Sequence, residues 1–378
     1  MRTRSAADAG CAAPFPAGGP AAGASAAFSA ASSAGRMTAG AAETDFLVSI
    51  CAVCYCHAPY LSEALNGFLA QRTDYRRPDG STGRFGIEIL VHDDASPDES
   101  GDILRAYAEQ FPGVVKPLIQ TENQYSRGIT NISGAFNFPR ALGRYIALMD
   151  CDDYWQSPDK LSAQVSWMEA HPDCQLCVHA AEVKNDRGEL VDQSLMRPYR
   201  KDRTLSPKEL IDKAGSFPFG SMLFRSSLVK TLPRYYVDCP VGDRPIELMA
   251  AAKGNARYMD RFYSVYRFNG KGSWTESMRT GDQRAKQDRY ARQMRAMYEE
   301  FDRETGGVFH REAVSASHRL FFLTRVNLRD WKGIYNPKYR RFYRELPLAT
   351  RFFCRFEQLL PGPYRALQKL YHRIARRS

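Results

Sequence analysis

Arg144–Asp153 reads RYIALMDCDD, six residues of buried-strand character running straight into the carboxylates Asp150, Asp152 and Asp153. A continuous apolar run bounded in this way marks a strand covered on both faces, as in a parallel sheet. Three acids in four residues repel one another and resist desolvation. A fold tolerates them when a cation neutralises them, and an all-oxygen donor set suits Mg2+ or Mn2+ rather than zinc. Upstream, Phe46–Tyr55 (FLVSICAVCY) is a first buried strand, and Ile87–His92 is a second, ending in Asp93-Asp94-Ala95-Ser96. Between them, residues 59–71 place Leu61, Ala64, Leu65, Phe68 and Leu69 at helical spacing, and the polar run Arg72–Gly86 reads as a loop. Asp98–Phe111, Ala135–Leu142 and Lys160–Ala170 read as helices, and Val114–Gln120 and Cys174–Val183 as strands. This alternation predicts an α/β domain with a mostly parallel central sheet flanked by helices. Ligands of open α/β sheets bind at the carboxyl ends of the strands. Both acidic strand ends are therefore expected to face one crevice.

The rest of the chain bounds what the domain can be. The net charge is +11 over 378 residues, but Trp331–Ser378 alone holds twelve Lys/Arg against only Glu345 and Glu357. The body is close to neutral, which argues against a nucleic-acid partner. Within the tail, Phe352–Arg377 mixes Phe, Leu and Tyr with Arg and Lys. Such a segment either lies on an anionic membrane surface or packs on the body with a solvated basic face. Nine cysteines, an odd number in a long chain, favour a reducing compartment over a disulfide scaffold. Residues 1–44 are rich in Ala, Gly, Ser and Pro and read as a disordered leader, with Met37 an alternative start. The organisation expected is a leader over 1–44, a catalytic domain over 45–270 and a helical, basic extension over 271–378.

A third acidic feature is Gly242-Asp243-Arg244-Pro245, opening the helix-like Ile246–Lys253. Taken alone, an acid there is a helix cap. Taken in order, VSICAVCYCHAPYLSEAL, EILVHDDASPDES, YIALMDCDDYW and VGDRPIEL resemble the family 2 glycosyltransferases of the GT-A fold, over about residues 46–270. These are bacterial enzymes that build capsular and other surface polysaccharides.

The resemblance implies a metal-dependent, inverting transfer of sugar from a nucleoside-diphosphate-sugar to a glycan or lipid-linked acceptor. Asp94 falls on the acid that contacts the nucleotide base, where an imide N–H favours UDP or dTDP. Asp152 and Asp153 fall on the acids that hold the ribose and the metal–diphosphate, with Mn2+ or Mg2+ as the ion. Asp243 falls on the catalytic base, and its helix start is expected to favour the ionised form; Glu247, one turn along, is the next candidate. The family's Glu before that base is Gly242 here. In the first strand end, Tyr55 is kept, while Val53 stands where a Thr approaches the base. Asn123 and Arg127 fall in the loop that reaches the donor, Arg127 towards the diphosphate. The implied location is cytoplasmic, with peripheral contact at the inner face of the cell membrane through the basic tail.

Two rivals share the fold. A sugar nucleotidyltransferase needs a Gly-rich phosphate loop, and Val53–Pro59 holds no Gly. A non-catalytic glycan-binding protein would not need three acidic motifs. The pairs Cys51/Cys54 and Cys174/Cys177 imitate zinc half-sites, but in a strand residues three apart point to opposite faces. His92 reads as a packing residue.

Overall fold

The structure is a computed structural model that describes residues 44–185, 187–191, 193–212, 217–268, 278, 280–364 and 366–367. The leader, except Thr44, Met37 and the last residues of the basic tail lie outside the described residues. The chain divides into two compact units, Met1–Ser273 and Trp274–Ser378.

The first unit is built on one sheet. Its strands are β1 (Phe46–Cys54), β2 (Asp74–Arg76), β3 (Thr82–Asp93), β4 (Val115–Ile119), β5 (Tyr145–Asp150), β6 (Tyr154–Trp155), β7 (Cys174–Lys184), β8 (Arg203–Leu205), β9 (Leu223–Arg225) and β10 (Asn255–Arg267). The order across the sheet is β2-β3-β1-β5-β9-β7-β10-β6, with β4 beside β3 and β8 beside β10. The helices are α1 (Ala58–Leu69), α2 (Ser100–Gln110), α3 (Lys160–Ala170), α4 (Pro207–Asp212), α5 (Arg234–Val237) and α6 (Asp243–Lys253). The expected parallel arrangement holds for β4, β3, β1 and β5 and for the pair β7–β10. Between those two blocks runs β9, antiparallel to both β5 and β7, so the sheet is mixed. The three-residue β9 is too short to carry a period of its own, which is why the sequence does not announce its direction.

Two local expectations are corrected. Arg72–Gly86 is not a loop throughout: β2 pairs antiparallel with Thr82–Arg84 of β3. The turn between them closes through Arg77 N–H to Ser81 O at 2.8 Å, with Gly80 at φ +85°, the left-handed region that favours glycine. One apolar residue anchors this hairpin, Tyr75, whose ring is buried and whose hydroxyl donates to Asp45 at 2.7 Å. Ala135–Leu142 is not an α-helix either. Ser133–Asn137 winds as a π-turn and Phe138–Arg140 as a 3-10 turn, with Pro139 in the latter.

The core lies between the sheet and its helices. Leu61, Ala64, Leu65 and Phe68 of α1 and Leu161, Val165 and Met168 of α3 are buried against β1, β3 and β5 residues such as Ile50, Ile89 and Ala147. Cys51, Cys54, Cys174 and Cys177 are buried strand residues with free thiols. The second unit is helical: α7 (Gln283–Glu304), α8 (His310–Asn327), α9 (Trp331–Ile334), α10 (Arg340–Glu345) and α11 (Leu348–Leu359). Phe322, Ile334 and Phe342 are the buried centre of a small core of its own.

Candidate active site

The pairing of strands brings the acidic motifs together. In the sheet register Val53 lies opposite Asp150 on one side and His92 on the other, and Cys54 lies opposite Asp93. The carboxyl ends of β1, β3 and β5 therefore sit side by side, as the strand-end rule requires. The loops leaving β1 and β3 are stitched to each other. Cys56 N–H donates to Ser96 Oγ at 2.9 Å and Ala58 N–H to Asp98 Oδ2 at 3.1 Å. Ser96 in turn donates to Asp93. Cys56 and Ala95 both have positive φ, 55° and 59°. Two non-glycine residues in this region, one in each loop, mark backbone held against its preference beside the crevice.

Asp94 is only 2% exposed, and its carboxylate is turned onto the loop after β4. Oδ1 accepts from Gln124 N–H at 2.8 Å and lies 3.2 Å from His92 Nε2, while Oδ2 accepts from Tyr125 N–H at 3.0 Å. Burial works to raise this carboxyl, but the bonds from His92 and the two backbone N–H groups outweigh it and hold it low. Asn123 completes the turn. Its amide donates to Asp94 O at 2.9 Å and its oxygen accepts from Ser126 N–H at 2.7 Å. Asp94 and Asn123 thus shape the loop 122–128, and His92, besides packing on Phe136, helps hold Asp94 in place. Arg127 is exposed on this loop and pairs with Glu122. Tyr55 is also exposed, at the mouth of the β1 loop, and Val53 is half-buried below it.

At the end of β5 the three acids part company. Asp153 is buried, and its Oδ1 accepts from Arg267 N–H at 2.7 Å. Burial first and Asp152 second push its carboxyl well up. Asp150 and Asp152 receive no hydrogen bond on their carboxylates from any described residue. The Asp150 carboxyl is pushed up to about 7 by burial and by the charges of Asp152 and Asp243, against the opposing pull of His57. Asp243, from the far end of the domain's sequence, therefore lies within electrostatic reach of the β5 acids. Among the described residues no three His, Cys, Asp or Glu side chains are grouped as a self-contained metal cage. Mg2+ and Mn2+ do not require one, since they take one or two carboxylates and complete their shells with water and substrate phosphates. The unbonded, mutually repelling Asp150 and Asp152 fit such an ion.

Asp243 is the first residue of α6, and the cap position, Gly242, makes no side-chain cap. The Asp243 carboxylate accepts from Arg244 N–H at 2.7 Å. Its pKa is raised: the backbone N–H groups at the helix start favour the ionised form, but burial outweighs them. A Cβ at Gly242 would come within 3.2 Å of Asn131 Oδ1, so the absence of a Glu there has a steric counterpart. Glu247 is buried in an ion pair with Arg244, whose guanidinium also bonds the Leu210 and Ile211 carbonyls, so it serves the packing of α6. Asn131 and Thr130 tie the segment before α6 to the loop after β4: Asn131 Nδ2 donates to Tyr236 O at 2.6 Å and Thr130 Oγ1 to Cys239 O at 3.0 Å.

Two residues escaped the sequence reading. Arg267, at the end of β10, bonds the Asp152 carbonyl and Glu63 and lies over the rings of Tyr60 (4.6 Å) and Tyr154 (4.7 Å). It ties the acidic turn to α1. His57, just before α1, is held above the usual imidazole range: burial opposes its charge, but the Cys54 thiol, Asp152 and Asp150 together favour it. A basic residue closing a long strand and a His opening a helix are too common to be singled out without the fold.

The chain is similar to several known proteins. An uncharacterised protein of Mycobacterium tuberculosis is 30% identical over 235 residues, 60% of each chain, so this chain spans 60% of that relative's length. The Escherichia coli enzyme WfaP, named as a UDP-Glc:α-D-GlcNAc-diphosphoundecaprenol β-1,3-glucosyltransferase, is 38% identical over 85 residues, 22% of this chain and 30% of its own. Among solved structures, residues 1–349 of Staphylococcus aureus TarS in complex with UDP-GlcNAc match at a TM-score of 0.52 and 15% identity, over 86% of this chain and 91% of that one; this likeness shows the fold alone. Residues 49–232, just under half of the chain, match the sequence profile of glycosyl transferase family 2, and this segment, with its acidic strand ends on a GT-A-type sheet, belongs to that family.

Proposed function

We propose that residues 45–270 form the catalytic domain of a glycosyltransferase that moves a sugar from a nucleoside-diphosphate-sugar to a hydroxyl of a glycan or lipid-linked acceptor, with inversion at the anomeric carbon. The observation that carries this reading is the sheet register that sets the acidic ends of β3 and β5 on either side of β1, with Val53 opposite Asp150 and Cys54 opposite Asp93. Asp152 and Asp150, whose carboxylates no described residue bonds, would hold Mn2+ or Mg2+ together with the donor diphosphate, beside Asp153 fixed by Arg267. Bound there, the ion offsets the negative charge that grows on the leaving diphosphate. Asp243 takes the proton of the acceptor hydroxyl as that oxygen attacks. Burial raises its pKa, which makes it a stronger base than an exposed carboxylate. Tyr55, Val53 and the loop shaped by Asp94 and Asn123 border the nucleotide, and Arg127 is within the same loop to meet its phosphates. UDP or dTDP is the favoured nucleotide.

The lipid-linked acceptor in WfaP's name supports an acceptor of that kind here, in the synthesis of a surface polysaccharide such as a capsule. We place the enzyme in the cytoplasm, peripheral at the inner face of the membrane carrying such acceptors. Among the described residues no helix is long and apolar enough to cross a membrane. The test is release of nucleoside diphosphate from a panel of nucleotide-sugars with Mn2+, with Mg2+ and in EDTA. Release that needs the ion in wild type and vanishes in Asp152→Ala, with the fold retained, is expected. Full turnover in EDTA would overturn the metal-dependent reading.

A further inference from the structure

Helix α11 carries an apolar face that its own unit leaves uncovered. Leu348, Phe352, Phe356 and Leu359 recur at spacings of four, four and three, which puts them in one stripe along the helix. Leu348, Phe352 and Leu359 are 75%, 64% and 69% exposed. Phe353 and Leu360 widen the stripe and are exposed as well. The aromatic rings have gathered among themselves rather than into a core: Phe352 stacks on Phe356 at 6.0 Å, and Tyr364 meets Phe353 and Phe356. The opposite side of the helix is anchored, with Cys354 buried and Glu357 paired to Arg329 at 2.9 Å. The stripe therefore cannot turn inward without breaking those contacts.

The charge beside the stripe has one sign. Arg351 and Arg355 flank it, with Arg355 lying over the ring of Tyr335 at 4.4 Å. After Glu357 the sequence holds no acid, while Arg365, Lys369, Arg373, Arg376 and Arg377 follow. An apolar stripe bordered by cations matches an anionic bilayer surface, where Phe and Leu enter the acyl boundary and Arg and Lys meet lipid phosphates. A second copy of this chain would bring the same positive charge to its partner and is disfavoured for that reason.

We propose that α11, with its apolar stripe and the flanking Arg351 and Arg355, forms a membrane-docking surface that seats this protein on anionic phospholipid. The inference names the surface behind the peripheral location stated above, and does not depend on the transfer chemistry. Its test is co-sedimentation of the full chain with phosphatidylcholine vesicles containing or lacking phosphatidylglycerol, for wild type and for Phe352→Glu/Leu359→Glu. Both substitutions are at exposed positions, so folding should survive, and nucleotide-sugar turnover of the double variant serves as the check. Wild type should bind the anionic vesicles, more weakly as salt rises, and hardly bind the neutral ones. The double variant should lose at least about tenfold in partitioning with turnover unchanged. Equal binding by wild type and variant, or no preference for anionic lipid, would overturn the proposal. So would light scattering that finds a dimer which the double variant dissolves while vesicles bind neither form. Loss of turnover in wild type with vesicle binding intact would count against the transferase and leave the docking surface standing.

Discussion

Asp94 is a carboxylate committed to structure, and the base recognition proposed for it has to share the same oxygens. Three hydrogen bonds hold it, so a nucleotide base can meet it only at a remaining lone pair of Oδ2 or through the loop it shapes. If that readout favours an imide N–H, calorimetry should find UDP and dTDP tighter than CDP and GDP by about 1–3 kcal/mol, the cost of an unpaired buried polar group. Equal affinity for GDP and UDP would remove Asp94 from the role. Lys160 is a second residue under tension. It is fully buried, donates to Gln164 Oε1 at 2.9 Å and lies 4.1 Å from the ring of Trp155, with no carboxylate partner among the described residues. Burial pushes its ammonium down to about 7. Between that value and the ordinary lysine value the unfolded chain binds more protons than the folded one. The Lys160 contribution to stability therefore rises with pH across that window, and the full penalty applies below it. Lys160→Met should stabilise the domain at pH 7 by on the order of a few kcal/mol. The gain should shrink as pH approaches 10, as urea midpoints at several pH values would reveal. A gain that does not change with pH would mean that Lys160 is charged in the folded state.

At the scale of elements, Arg267 is what joins β10, the acidic turn after β5 and α1. Arg267→Met keeps the backbone bond to Asp153 but loses those to the Asp152 carbonyl and Glu63. Nucleotide affinity in the presence of Mn2+ should fall about tenfold, with Arg267→Lys intermediate because the charge survives without the fork. Unchanged affinity in Arg267→Met would show the turn to be self-supporting. This tie also marks where the sequence stops being informative. The long apolar strands β1, β3, β5 and β7 and helices α1 and α3 were legible because burial on both faces, or on one stripe, writes a period of its own. The β2 hairpin was not, since Tyr75 is one buried ring in a polar run. Neither was the direction of β9, nor the π-turn at Ser133–Asn137, because three- and five-residue elements take their geometry from neighbours. The site divides in the same way. Acids in a row at strand ends are visible one segment at a time, whereas Arg267 and His57 acquire meaning only from what the fold puts beside them.

Across the whole molecule the charge is unevenly divided. The near-neutral first unit holds the acidic crevice, and the excess of positive charge is in the last 48 residues, with the helices of the second unit and the segment after them. The central claim concerns the first unit: acids from β5 and the acid opening α6, some ninety residues apart in sequence, form one cleft in which the former hold the donor and the latter accepts a proton. Asp243→Asn keeps the size of the side chain and removes its basicity. The direct measurement is turnover of this variant beside its affinity for the donor nucleotide with Mn2+. The account predicts that turnover falls by about 10²–10⁴, the usual worth of a general base, while nucleotide affinity stays within about twofold of wild type. Near-normal turnover, or a loss of nucleotide affinity in parallel with turnover, would contradict it.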